Sequence, residues 1–233
     1  MKFTLLIPTI NEIDGMRVIM PRIKRDWCDQ IIILDGRSTD GTIEYAREQG
    51  FLTVIQQESG LRHGYMEAMP YVTGDVLITF SPDGNSVPEL IPPLIEKMRQ
   101  GHDMVIVSRY AEGAKSEDDD YLTSFGNWLF NKLINLFFHA KYTDAMVIFR
   151  AYRTNLVYEL NLDKDSSYRP EKWFDTKVSW EPLLSIRGAK QRLKIAEIPG
   201  DEPPRIGGKR KLLPFRWGAT FLMQIFIEFF SWR

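Results

Sequence analysis

Residues 30–42 read Gln30-Ile31-Ile32-Ile33-Leu34-Asp35-Gly36-Arg37-Ser38-Thr39-Asp40-Gly41-Thr42. An apolar run from Gln30 to Leu34 ends abruptly in an Asp/Gly/Ser/Thr loop, and a helical pattern from Thr42 to Gln49 follows. A run without polar alternation suits a strand buried on both faces, the habit of a parallel sheet covered by helices. The same pattern recurs outward in both directions. Phe3 to Ile7, Leu52 to Ile55, Val76 to Phe80 and Met104 to Val107 are further candidate strands, and Val87 to Arg99 is a further helix. Ser86 with Glu89 three residues on has the spacing of a capping box. Repeated strand–helix alternation predicts a doubly wound α/β domain over the first half.

Ligands of such sheets sit beyond the carboxyl ends of the strands. Pro8-Thr9-Ile10-Asn11-Glu12, Asp35 to Thr42, and Ser81-Pro82-Asp83-Gly84-Asn85-Ser86 each follow a candidate strand. These three polar loops are expected to converge on one rim. A carboxylate there, Asp35 or Asp83, can hold a ribose hydroxyl or a phosphate-bound metal. Each can equally start a turn, because Asp-Gly is a common turn pair.

The 233 residues carry 30 Lys plus Arg against 31 Asp plus Glu, a balance that argues against a nucleic-acid binder. A lone Cys28 cannot form an internal disulfide. His63, His102 and His139 lack the spacing of a zinc site. Neither a P-loop nor a Gly-x-Gly-x-x-Gly follows the first strand, and no Gly-x-Ser-x-Gly elbow occurs. The N-terminus lacks the features of a signal peptide, and no apolar run reaches the ~18 residues of a spanning helix. A cytoplasmic protein is expected.

The second half is less regular. Glu117 to Asp120 is an acidic loop or helix start, and Phe125 to Phe138 is a helix more apolar than a surface helix needs. Tyr168 to Lys172 reads as a loop, Ser179 to Arg187 as a short helix, and Gln191 to Ile198 as a late strand. From Arg205 onward there are six basic residues and one acid, a local charge of +5. The aromatic-rich segment Trp217 to Trp232, interrupted by Gln224 and Glu228, reads as an amphipathic helix lying on a membrane surface. Burial in a core or dimer is the competing reading of both aromatic helices. The chain divides accordingly into a main domain over residues 1–204 and a basic, membrane-facing segment over 205–233.

Pro8 to Glu12, Leu34 to Thr42 and Gly74 to Asn85, taken in this order, resemble a family 2 inverting glycosyltransferase; Ser38-Thr39-Asp40-Gly41-Thr42 is the most specific string. Val107-Ser108-Arg109-Tyr110, Asp144 through Phe149 to Tyr152, and Arg205 through Leu212 are similar to later blocks of the dolichol- and polyprenyl-phosphate sugar synthases. The resemblance implies a glycosyltransferase A-type sheet flanked by helices. It implies a nucleotide-sugar donor, with Pro8, Asn11, Glu12 and Asp35 in the nucleoside pocket and Arg62, His63 and Gly64 in a loop closing over it. Asp83 would hold Mg2+ or Mn2+ at the diphosphate. Two departures stand out. The usual Asp-x-Asp is Ser81-Pro82-Asp83, and a serine hydroxyl is a poorer ligand for a hard cation than a carboxylate. The usual Asp-Asp-Gly is Asp35-Gly36-Arg37, which adds a positive charge.

A lipid-phosphate acceptor is already ionised at neutral pH, with a second pKa near ~6, so it needs no general base. Two anionic substrates need cations instead, and Arg109, Arg150, Arg205, Lys209, Arg210 and Lys211 are the candidates. A hydroxyl acceptor would need a base, for which Glu181 or Asp144 would serve. The expected activity is transfer of a hexose to a polyprenyl phosphate by a protein peripheral to the cytoplasmic face of the membrane. Transfer to a glycan hydroxyl, and a non-catalytic nucleotide-sugar-binding protein, are the alternatives.

Overall fold

A computed structural model describes residues 1–207 and 214–231. Seven strands form one sheet: β1 (Phe3–Thr9), β2 (Gln30–Asp35), β3 (Leu52–Ile55), β4 (Val76–Thr79), β5 (Met104–Ser108), β6 (Arg150–Arg153) and β7 (Ile195–Pro199). Their spatial order is β3-β2-β1-β4-β6-β5-β7. Every neighbouring pair is parallel except those made by β6, which runs antiparallel between β4 and β5. The five strands expected from the apolar runs are all present, and the late strand joins the far edge as β7, parallel to β5. The doubly wound expectation therefore holds.

Strand pleating sends alternate residues to opposite faces, and two cores result. Leu6, Ile32, Leu34, Leu77, Ile106 and Tyr152 face one core, while Leu5, Ile7, Ile33, Ile78, Val105 and Ala151 face the other. The helices are α1 (Ile13–Ile19), α2 (Thr42–Glu48), α3 (Leu61–Ala68), α4 (Ile91–Arg99), α5 (Tyr121–Phe138), α6 (Leu156–Glu159), α7 (Pro170–Phe174), α8 (Glu181–Lys190) and α9 (Pro214–Phe230). The second core is covered by α1, α2 and α4, through Met16, Ala46 and Leu94 among others. The first is covered by α3, α5, α8 and α9, through Tyr65, Ile134, Leu184 and Ile225.

Local chemistry moves several boundaries. The Ser86/Glu89 capping box does not form: a 3-10 turn over Pro88–Leu90 precedes α4, whose first turn accommodates proline, and Glu89 pairs with Arg22 at 2.7 Å. A true capping box lies at the acidic run instead. Asp120 accepts from the Thr123 N–H at 2.8 Å while the Thr123 hydroxyl faces the Asp120 N–H, so α5 starts at Tyr121 rather than Phe125. Tyr168 to Lys172 is not a loop, since a 3-10 turn (Asp165–Tyr168) runs into α7.

The polar interruptions of α9 face the protein. Thr220, Gln224 and Glu228 lie on one face, and that face is buried. Glu228 takes Arg187 at 2.7 Å and Lys190 at 2.9 Å, both from α8. The interruptions that mark a water-facing side in an isolated amphipathic helix are here the side turned to the protein. Among the described residues, Phe221 and Ile225 of α9 belong to the same core as Leu6 of β1 and Ile32 and Leu34 of β2.

Burial alone would raise the Glu228 carboxyl, but the Arg187 and Lys190 hydrogen bonds and charges outweigh it and hold the group below its ordinary value. A carboxylate lowered on folding stabilises the fold above its unfolded pKa, and that contribution is lost as pH falls through the folded value. Glu228→Gln is expected to cost about 3 kcal/mol at neutral pH, the low end for breaking a buried pair. In urea denaturation the gap to the wild type should close in acid; a gap constant with pH would show that the ion pairs do not carry the effect.

Candidate active site

The loops after β1, β2 and β4 meet on one rim, and their polar residues explain how. Asn11 adopts φ 53°, which turns its side chain back so that Oδ1 accepts from the Thr39 N–H at 2.8 Å. The Asn11 N–H donates to Ser38 Oγ, that of Glu12 to Thr42 Oγ1, and that of Ile13 to Asp40 Oδ2. The string Ser38 to Thr42 thus stitches the β1 loop to the β2 loop. Burial would raise Asp40, but the Thr42 hydroxyl and the Ile13 and Thr42 N–H groups outweigh it and lower it. Asp35 is fully buried, accepting from Thr9 Oγ1 at 2.8 Å, Ser38 N at 2.7 Å and Ser38 Oγ at 2.6 Å. Pro8 lies in β1 opposite Leu34. Arg37 turns its guanidinium onto the carbonyls of Gln56 and Gln57, at the end of β3.

The third loop is clamped from both sides. A Cβ on Gly15 would lie 2.3 Å from the Pro82 carbonyl oxygen, so only glycine lets α1 rest on the 81–83 backbone. From the other side, the Ile206 N–H donates to the Asp83 carbonyl at 2.7 Å and Asn85 Nδ2 donates to the Pro203 carbonyl at 3.0 Å. The chain after β7 is thereby laid across the rim. It delivers Arg205, whose Nη1 is 3.2 Å from Glu12 Oε1 and whose Nη2 is 2.7 Å from Asp83 Oδ2. Sequence reasoning placed Arg205 with the acceptor phosphate. It missed that this guanidinium, 193 residues beyond Glu12, ties the first loop to the third.

Arg109 stands beside this pair, at the end of β5. Asp144 grips it bidentately at 2.6 and 3.0 Å, and Glu202 takes its Nη1 at 3.1 Å. Burial would lower the Arg109 pKa; the Asp144 charge overrides this and raises it. Burial raises Glu202, partly offset by Arg109, and Ser116 donates a hydrogen bond to it. Glu202 was not among the candidates, although it too follows a strand carboxyl end.

Four expected residues lie elsewhere. Arg62, His63 and Gly64 are in α3, not in a closing loop. Arg62 is buried between Asp165 (2.7 Å) and Glu171 (3.0 Å), with its guanidinium 4.0 Å over the Tyr168 ring. His63 Nδ1 is 2.9 Å from the Ser59 carbonyl, and Gly64 packs on Gln56. Arg150 is fully buried in β6 and donates to the carbonyls of Ala145, Val147 and Glu181 and to Ser185 Oγ, so its donors are directed into the core rather than to the rim. Glu181 is equally buried, and burial raises its carboxyl against the opposing charge of Arg150. Asp144 is fully buried as well. Lys209, Arg210 and Lys211 lie outside the described residues.

A cleft of about 510 Å³ opens from this rim. Asp83, Asn85, Arg109 and Arg205 line its polar end, and Phe125, Leu129 and Phe130 of α5 with Trp217, Phe221 and Leu222 of α9 line the rest. Its aromatic wall is ordered edge-to-face, with Phe130 and Trp217 each near 6 Å from Phe221.

Residues 4–161 match the family model described as glycosyl transferase family 2. A dolichyl-phosphate hexose transferase of Haloferax volcanii is 28% identical over 214 residues, covering 91% of this chain and 87% of that protein. An undecaprenyl-phosphate mannosyltransferase of Micrococcus luteus is 27% identical over 210 residues, covering 85% and 82%. The fold is shared with glucosyl-3-phosphoglycerate synthase from Mycobacterium tuberculosis, crystallised with Mn2+, UDP and phosphoglyceric acid. The TM-score is 0.69 at 19% identity, over 96% of this chain and 78% of that one. The matched span runs from β1 through α6 and so contains all three rim loops together with Arg109 and Asp144. By that match the chain belongs to glycosyl transferase family 2 and is a glycosyltransferase.

Proposed function

We propose that this glycosyltransferase moves a hexose from a nucleoside-diphosphate donor to a polyprenyl phosphate, with inversion. The observation that carries the reading is the continuity of the cleft: a charged rim opens directly into an apolar groove between α5 and α9. A substrate with a phosphate head and a long hydrocarbon tail matches that polarity end to end. The names of the two relatives agree with it.

In the proposed reaction an oxygen of the acceptor phosphate attacks the anomeric carbon. The bond from that carbon to the donor diphosphate breaks, and its electron pair leaves on the nucleoside diphosphate. No proton has to be removed from an ionised phosphate. Of the two carboxylates named as bases for a hydroxyl acceptor, Glu181 does not reach the cleft surface and Asp144 is held by Arg109. Arg109 and Arg205 face the substrates, and the basic run Lys209 to Lys211 is the proposed further source of positive charge for the acceptor phosphate. Pro8, Asn11, Glu12 and Asp35 shape the nucleoside end.

The membrane is the proposed source of the acceptor. No helix among the described residues is long and apolar enough to cross it. Large aromatics nevertheless stand outward on the two helices that flank the groove: Phe125 and Trp128 on α5, Phe215 and Phe230 on α9, between 54% and 81% exposed. Aromatic side chains with basic neighbours favour an interfacial position. Radiolabelled donor sugar incubated with undecaprenyl phosphate in anionic vesicles is expected to enter the organic-extractable lipid, and the protein to float with those vesicles at low salt. Transfer to a soluble hydroxyl acceptor but not to lipid would refute the reading.

A further inference from the structure

The side chains of the third loop form a poor seat for a divalent cation. A hard cation takes several oxygen ligands, preferably carboxylates. Residues 81–85 offer one carboxylate, Asp83, beside the neutral Ser81 and Asn85. Among the described residues no three His, Cys, Asp or Glu side chains converge as a metal group. Glu12 of the first loop and Asp83 of the third both point at the same guanidinium.

Arg205 is placed as a resident cation would be. Its own segment is tethered on each side, at the Pro203 carbonyl by the Asn85 side-chain amide and at the Ile206 N–H by the Asp83 carbonyl, to the very loop that carries Asp83. Its Nη atoms are spent on the two carboxylates, but its Nε is buried and without a hydrogen-bond partner among the described residues. A buried donor of this kind carries a cost unless an acceptor arrives. Guanidinium is suited to that role, because its fixed fork of five donors can hold carboxylates along one edge and phosphate oxygens along another. The two carboxylates then act by holding the fork in place before substrate binds.

We propose that Arg205 supplies the positive charge at the donor diphosphate that a divalent cation supplies in metal-dependent relatives of this fold, so that donor binding here does not need a metal. The loss of the first carboxylate at Ser81 and the capture of Arg205 by Glu12 and Asp83 are then two halves of one exchange. This rests on the reading that the donor is a nucleoside diphosphate sugar.

The test is isothermal titration of UDP, GDP, CDP and dTDP into the full chain, in EDTA and again in Mg2+ or Mn2+. At least one nucleotide is expected to bind in EDTA, with an affinity within about twofold of that with metal. Arg205→Ala is expected to weaken it about tenfold to a hundredfold, the worth of a hydrogen bond to a charged group. Arg205→Lys, which keeps the charge without the fork, should fall between, and thermal melting of each variant reports whether the fold is kept. Binding that disappears in EDTA and survives Arg205→Ala would overturn the proposal while leaving the donor class intact. No binding of any nucleotide with or without metal would overturn the donor class, and the proposal with it.

Discussion

Asp83→Ala is expected to lower sugar transfer about 100- to 1,000-fold, the range for removing one preorganised electrostatic group from a site where charge develops. The reason is positional. Asp83 holds Arg205 at 2.7 Å and braces its own loop by accepting from the Asn85 N–H at 3.1 Å. Without it the guanidinium keeps only Glu12, on the opposite loop, and the fork swings away from where the diphosphate must leave. Asp83→Asn, which preserves volume and the loop hydrogen bond but not the charge, is expected to lose nearly as much. The decisive measurement is a double-mutant cycle. Residues that act as one unit are non-additive, so Asp83→Ala with Arg205→Ala should be no slower than the slower single variant. Additive losses would show that Asp83 works independently of Arg205.

The second large effect is on the fold. Arg150→Met is expected to destabilise the protein by about 3–5 kcal/mol, since several buried acceptors lose a charged donor at about 1–3 kcal/mol each. Its guanidinium is fully buried and satisfies the carbonyls of Ala145, Val147 and Glu181 together with Ser185 Oγ. Methionine fills much of the volume but takes a donor away from each of those acceptors, of which the Ala145 carbonyl keeps another, from Ser185 Oγ; an acceptor left unpaired costs about 1–3 kcal/mol where water cannot replace the donor. It also removes the charge that opposes burial at Glu181, so that carboxyl rises further and is driven towards its neutral form. Chemical denaturation should show the loss, and nucleotide titration of the folded fraction should show wild-type affinity. Weakened nucleotide binding in a variant that melts normally would return Arg150 to the rim.

These two arginines show how motif reading picks out positions without fixing what each side chain touches. Both Arg150 and Arg205 lie in strings similar to family blocks, and a sequence reading gives every such arginine to phosphate. Burial separates them. Arg150 sits in a four-residue strand of which half is arginine, a segment with no apolar run, and only its central antiparallel place between β4 and β5 makes it structural. Arg62 went astray for the same reason, because its partners Asp165 and Glu171 are about a hundred residues away. The capping string at Asp120 and Thr123 is short-range and lies at the run read as an acidic loop or helix start, whereas the Ser86 cap is displaced by Pro88 and by the pull of Arg22 on Glu89.

What the sequence by itself determined is the part of the protein set by periodicity and chain order. The apolar runs had to be buried strands, their alternation with helices had to make a largely parallel sheet, and the polar loops after β1, β2 and β4 had to share a rim. What only the tertiary structure decided depends on contacts between distant segments. It turned the polar line of α9 inward, because α8 offers Arg187 and Lys190 as partners and an unpaired Glu228 could not be buried. It also folded the chain after β7 back across the rim, where a residue expected at the acceptor became the cation between Glu12 and Asp83. Pairings of this kind follow from where charges meet in space, which no spacing along the chain encodes.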